Sequence, residues 1–191
     1  MRSLKVGDRL YHASYAMIEK PDLILCQNNR DFGKGFYLTK SLVQAEGFVN
    51  QSLKKAKALG IISEDVDVAY INEYEVVDLR DIEEFDFLDA DQSWLHFIAY
   101  NRASMNLKDV IGVFDKYNVI GGKIANDMTS IVINAYIRGL YGNVGDANTD
   151  KRVIEELIPN RLDYQYCFKD EKALKALKFV QAKKVRVGRN G

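Results

Sequence analysis

The chain has 191 residues, 47% of them hydrophobic and 28% charged, with 27 basic and 27 acidic side chains. That length suits one compact domain with a real core. The balanced charge, with an isoelectric point near 6.7, excludes a global basic field that would draw the protein onto nucleic acid or an anionic membrane. Two cysteines, Cys26 and Cys167, lie far apart in sequence and belong to no metal-ligand cluster, which fits a reduced, cytoplasmic protein. The first residues, MRSLKVGDRLYHAS, are charged and lack the apolar stretch of a signal peptide. The apolar runs fall short of the ~20 residues of a membrane span.

In chain order, residues 8–13 read as a strand after Gly7. Residues 14–20 read as a short helix stopped before Pro21. A polar loop with Gly33 and Gly35 follows, and then an aromatic strand, Phe36-Tyr37-Leu38-Thr39. Thr39 or Ser41 can cap a helix over about 41–59, with Leu42, Ala45, Val49 and Leu53 at helical spacing and Gly60 as its stop. Residues 67–79 alternate and are rich in β-branched and aromatic types, a strand pattern. A helix is expected over 91–104 with Trp94, Phe97 and Ile98 on one face. A strand at 117–121 runs into Gly121-Gly122, and Asp127 opens a helix over about 128–139 that Gly139 ends. A short helix at 149–157, a strand at 164–168, a helix at 170–177 and a basic strand at 178–187 complete the chain. The sum is an α+β protein read as one domain, 1–191.

Two segments carry candidate chemistry. Tyr11-His12-Ala13-Ser14 places one of only two histidines at a strand end. A lone histidine there is more often a structural hydrogen-bonding group than a catalytic one. Asp31-Phe32-Gly33-Lys34-Gly35-Phe36-Tyr37-Leu38-Thr39 gives a turn-capable loop and a strand that shows Phe36 and Tyr37 to opposite faces. The glycine pair alone is weak: no Walker lysine and no full dinucleotide fingerprint accompany it.

Together the two segments resemble the NAD-binding half of ADP-ribosyltransferases of the poly(ADP-ribose) polymerase and diphtheria toxin type. The matches are His12-Ala13-Ser14 and Gly35-Phe36-Tyr37. The chain is also similar, from residue 11 to about 177, to a bacterial domain-of-unknown-function family, number 3990. YHAS, RDFGKGFYLT, QAEGF, WLHFIAYNR, VIGGKIAND and YQYCF carry that likeness.

The resemblance implies a split antiparallel sheet with surrounding helices. It implies NAD as a substrate, and no metal. His12 would bond an adenosine-ribose hydroxyl, the Ala13 backbone would grip the nicotinamide amide beside Ser14, and Tyr37 would stack on the ring. Ala13 stands where those families carry glycine, so its backbone contact requires an ordinary φ. Gln44 and Phe48 fall where an amide-binding polar group and a second stacking aromatic are expected. Phe48 reads equally well as a core residue.

The late strand offers Gln165 where many relatives carry glutamate. An amide can bond the nicotinamide ribose but supplies neither charge nor a base. Asn72-Glu73-Tyr74 looks superficially like a polymerase motif, yet it arrives too early, and Glu73 is set aside. Asn126 and Asp127 suit a helix cap, or a cleft carboxylate at Asp127. Arg102 suits a pair with Asp127 or a phosphate contact, and Arg30 suits phosphate or solvent. Lys183, Lys184, Arg186 and Arg189 suit a nucleic-acid contact or the guarding of an edge strand. The implied activity is mono-ADP-ribosylation of a protein or nucleic acid by a toxin-type effector with an antitoxin partner. NAD glycohydrolysis and NAD binding without catalysis are the alternatives.

Overall fold

The computed structural model describes residues 3–124, 127–157 and 162–187. Its elements are β1 (Arg9–Ser14), β2 (Phe36–Leu38), α1 (Leu42–Ala58), β3 (Val68–Val76), β4 (Glu84–Phe87), α2 (Gln92–Ala103), β5 (Val119–Lys123), α3 (Asp127–Ile137), α4 (Ala147–Glu156), β6 (Tyr164–Phe168), α5 (Glu171–Leu174) and β7 (Leu177–Arg186). A 3-10 turn spans Leu23–Leu25. The protein is α+β with two sheets.

The chain divides into two compact units that interleave in sequence. Unit 1 holds Ser3, Asp22–Phe36 and Asp81–Leu174; unit 2 holds Leu4–Pro21, Tyr37–Arg80 and the residues from Lys175 onwards. The junction falls inside β2, between Phe36 and Tyr37.

Unit 2 is built on an antiparallel sheet in the order β1-β3-β7. Alternation in β1 and β3 sends Tyr11, Ala13, Ala69 and Ile71 to the face that α1 covers with Ala45, Val49 and Leu53. Full burial of one such aliphatic side chain favours folding by roughly 2 kcal/mol. Ser41 caps α1, its Oγ accepting from Gln44 N at 3.1 Å. Gly60, at φ +66°, ends it: Gly60 N donates to Lys57 O and Ile61 N to Ala56 O, which closes the orphan carbonyls of the last turn. β7 is the sheet's edge. Lys183 pairs there with Glu46 and Arg186 with Asp67. Arg189 lies outside the described residues.

Of residues 14–20, expected as a helix, Ser14 ends β1 and 15–20 form an irregular segment with bends at 15–16 and 19–20. Side chains take the backbone groups that helix bonds would have used. Ser14 Oγ accepts from Ala16 N, and Asn72 Oδ1 accepts from Ile18 N at 2.8 Å.

Unit 1 contains β4, β5 and β6, in a sheet of order β2-β6-β5-β4. It is mixed, not wholly antiparallel: β4 runs parallel to β5, and β5 antiparallel to β6. A parallel pair needs a long crossover, and the chain through α2 supplies it. On one face Phe87 packs against Phe32, Phe97 and Phe114. Gly122 makes room for this cluster, since a Cβ there would sit 2.8 Å from the Phe32 ring. Gly121 and Gly122 therefore lie within β5 and do not close it. β4 was not foreseen, and the helix expected over 170–177 shortens to Glu171–Leu174.

A buried polar network ties α2 to α4 in this unit. His96 Nε2 lies 2.8 Å from Asp150 Oδ2, and His96 Nδ1 lies 2.6 Å from Asp109 Oδ2. Tyr136 and Gln92 both donate to the Asp150 carboxylate. Burial and the adjacent carboxylate push the Tyr136 phenol well above its usual range. Among the described residues, no helix is long and apolar enough to cross a membrane.

Candidate functional site

β1 places His12 on the sheet face opposite α1, directly across from Asn72 on β3. The chain leaving β2 lies along the other edge of β1. Tyr11 N donates to Thr39 O at 2.8 Å, and Thr39 N to Tyr11 O at 3.0 Å. This pairing brings the two sequence segments together within unit 2. It is completed by a side chain: His12 Nδ1 and the Tyr37 carbonyl oxygen are 2.8 Å apart. A carbonyl only accepts, so Nδ1 carries the hydrogen. In the neutral ring Nε2 then holds the acceptor lone pair. Burial disfavours the charged imidazolium and lowers the His12 pKa below 6.5, with the Tyr37 carbonyl opposing in part. His12 is thus held as one neutral tautomer.

Ala13 fills the place of the expected glycine without strain. Its methyl packs toward the α1 cluster, and Ala13 is not among the positive-φ residues. Ser14 is buried and spends its hydroxyl on the turn at Ala16.

Gln44, in the first turn of α1, is 9% exposed. Its Oε1 accepts from Thr39 Oγ1 at 2.6 Å. Its Nε2 is buried with no hydrogen-bond partner among the described residues. A buried donor left unmatched costs about 1–3 kcal/mol. Phe48, one turn further along α1, is half-buried, as is Tyr37.

His12, Ala13, Ser14, Tyr37, Gln44 and Phe48 all belong to unit 2, and Arg30, Gly35 and Gln165 to unit 1. Gln165 is buried on β6, opposite Gly122 of β5. Gly35 is a close-approach position, but the neighbour is protein. A Cβ there would overlap Cys167 Sγ and lie 2.7 Å from Phe168 O. Gly33, at φ +82°, is the turn residue of the loop. Arg30 is exposed and donates to Gln27 Oε1 at 2.7 Å. Arg102 turns to Asp31, its Nη2 lying 2.7 Å from Oδ1, with Ser130 as a further acceptor. Asn126 lies outside the described residues, and of Asp127 only its place at the start of α3 is described. Glu73 shares the α1-side register with Tyr11 and meets Arg9 and Gln181, away from the His12 face.

Sequence reasoning missed Asn72. It is fully buried amid a strand of alternating apolar residues, and a polar residue in such a register was the available signal.

The fold and site together are those of an α+β protein whose histidine strand and aromatic strand are joined at one sheet edge. The chain belongs to the family described as "Protein of unknown function (DUF3990)", whose model matches residues 9–179. No curated protein matches it.

Proposed function

We propose that the protein binds NAD⁺ at the His12–Tyr37 edge and transfers its ADP-ribose to a macromolecular acceptor. The observation that carries this reading is the bond from His12 Nδ1 to the Tyr37 carbonyl, which locks the histidine and the tyrosine strand into one unit. The neutral ring offers Nε2 to a ribose hydroxyl, which donates. The Ala13 backbone meets the nicotinamide carboxamide, and Tyr37 and Phe48 offer aromatic faces to the pyridinium. The buried Gln44 Nε2 gives a donor matched to the carboxamide oxygen.

In the reaction, the bond between nicotinamide nitrogen and ribose C1′ breaks and its electron pair leaves with nicotinamide. The acceptor's lone pair bonds C1′, and the acceptor's proton passes to a base or to solvent. His12 and Tyr37 bind; neither serves as the acid or base. By resemblance to the superfamily the protein is a toxin-type effector restrained by an antitoxin partner.

Incubation with labelled NAD⁺ and lysate tests the reading. Transfer of label, lost in His12→Ala and Tyr37→Ala, supports it. Nicotinamide release without labelled macromolecule replaces transfer with glycohydrolysis. Binding without NAD⁺ loss at high protein concentration removes the enzyme reading and leaves a binding module.

A further inference from the structure

The chain leaving β1 is held to the sheet by side chains of β3. Asn72, 0% exposed, uses both ends of its amide. Its Nδ2 donates to Ala16 O at 3.2 Å and to His12 O at 3.4 Å, and its Oδ1 accepts from Ile18 N at 2.8 Å. Tyr74, two residues along β3 and also fully buried, donates its hydroxyl to Ile18 O. The backbone groups of Ala16 and Ile18 are therefore satisfied by side chains reaching across from a neighbouring strand. The result is a strap over residues 15–18, beginning at the residue after Ser14.

From this we infer that Asn72 and Tyr74 are positioning residues of the His12 site. They fix the strap, and through the His12 carbonyl they fix the exit of β1 that presents His12 and Ser14. Only an amide fits at position 72. Two carbonyl oxygens and one N–H face it, so it must donate twice and accept once. Aspartate has the same shape, but one oxygen would face Ile18 N while the other is set against two carbonyl oxygens, a repulsion that lifts the strap and loosens the Ile18 bond. The effect on ligand is through geometry, so it falls on affinity and not on the chemical step. For NAD⁺ as the ligand, this inference rests on the proposed function.

The test uses the full chain with Asn72→Asp and, as a milder variant that keeps the ring packed on Phe179, Tyr74→Phe. Hydrogen exchange at the Ala16 and Ile18 amides and the His12 imidazole resonances are read without ligand. Exchange at Ile18 should quicken by about tenfold in Asn72→Asp and less in Tyr74→Phe, with the His12 signals moved in both. With NAD⁺, KM or Kd should rise about tenfold in Asn72→Asp while kcat stays within about twofold. Unchanged exchange and unchanged His12 signals in both variants overturn the inference. So does quickened exchange with unaltered NAD⁺ affinity. If the wild-type chain binds no NAD⁺, the NAD⁺ reading fails by itself, and the exchange and His12 signals alone decide the strap.

Discussion

His12 and Tyr37, 25 positions apart in sequence, are joined by one hydrogen bond from an imidazole Nδ1 to a main-chain carbonyl. The bond reaches the Tyr37 backbone and leaves the phenol ring to its own role. Replacing Tyr37 should therefore spare the histidine's orientation, whereas replacing His12 removes an anchor of the strand that carries Tyr37. Both Tyr37→Ala and His12→Ala should lower NAD⁺ turnover by about 100-fold or more, and Tyr37→Phe should keep most of it, because stacking needs the ring and not the hydroxyl. Initial rates of nicotinamide release check this. Full turnover in Tyr37→Ala would remove the stacking role.

Burial holds the His12 pKa below its ordinary 6.5. The unfolded chain takes up a proton near that pH while the folded chain does not. Stability linked to His12 is therefore present above about pH 6.5 and is lost as the pH falls below it. Urea midpoints for the wild type should decline more steeply below pH 6.5 than those for His12→Gln. Parallel curves would show that His12 titrates normally in the fold.

Gln44 separates binding from stability. Its Nε2 has no partner among the described residues, while its Oε1 accepts from Thr39 Oγ1, so in Gln44→Met the relief of a desolvated donor offsets the loss of the Thr39 bond and the melting temperature should change little. NAD⁺ affinity should fall about tenfold, the worth of one well-placed hydrogen bond. Calorimetric titration measures it. Unaltered affinity would return Gln44 to the helix-capping turn alone.

His96 is a structural centre outside the proposed site. Removing its ring takes one hydrogen-bond partner from buried Asp150, which keeps Tyr136 and Gln92, and the loss of such a buried partner costs about 1–3 kcal/mol. His96→Ala should lower the urea midpoint accordingly while the folded fraction keeps its NAD⁺ affinity. A loss of affinity without a loss of stability would contradict this assignment.

Gly35 should tolerate no side chain. Gly35→Ala would press its methyl onto Cys167 Sγ and the Phe168 carbonyl, an overpacking cost of about 1–3 kcal/mol. Adding Cys167→Ala should recover part of that loss and no more, since the Phe168 backbone contact stays. Thermal melts of the single and double variants check it.

Elements whose signal is local were legible in the sequence. The spacing of Ala45, Val49 and Leu53 gave α1, Ser41 and Gly60 marked its ends, alternation gave β3, and β1 and β6 were read as short strands. Periodicity reports which side of a segment is buried, and caps report where backbone groups run out of partners. His12 and Tyr37 were singled out by their neighbours in sequence; His12 lies inside β1 and Tyr37 is the middle residue of β2. The failures were of another kind. Residues 14–20 carry nothing that forbids a helix; their backbone is captured by Asn72 and Tyr74, more than fifty positions away. The parallel pairing of β4 with β5, the Cys167 contact that makes Gly35 obligatory and the carboxylates on either side of His96 depend on which distant segments meet. A hydrogen bond or a clash is a property of two positions at once. The sequence by itself determined the segments and their buried faces; only the tertiary structure decided their partners, and with them the neutral His12, the unmatched Gln44 nitrogen and the strap that Asn72 holds.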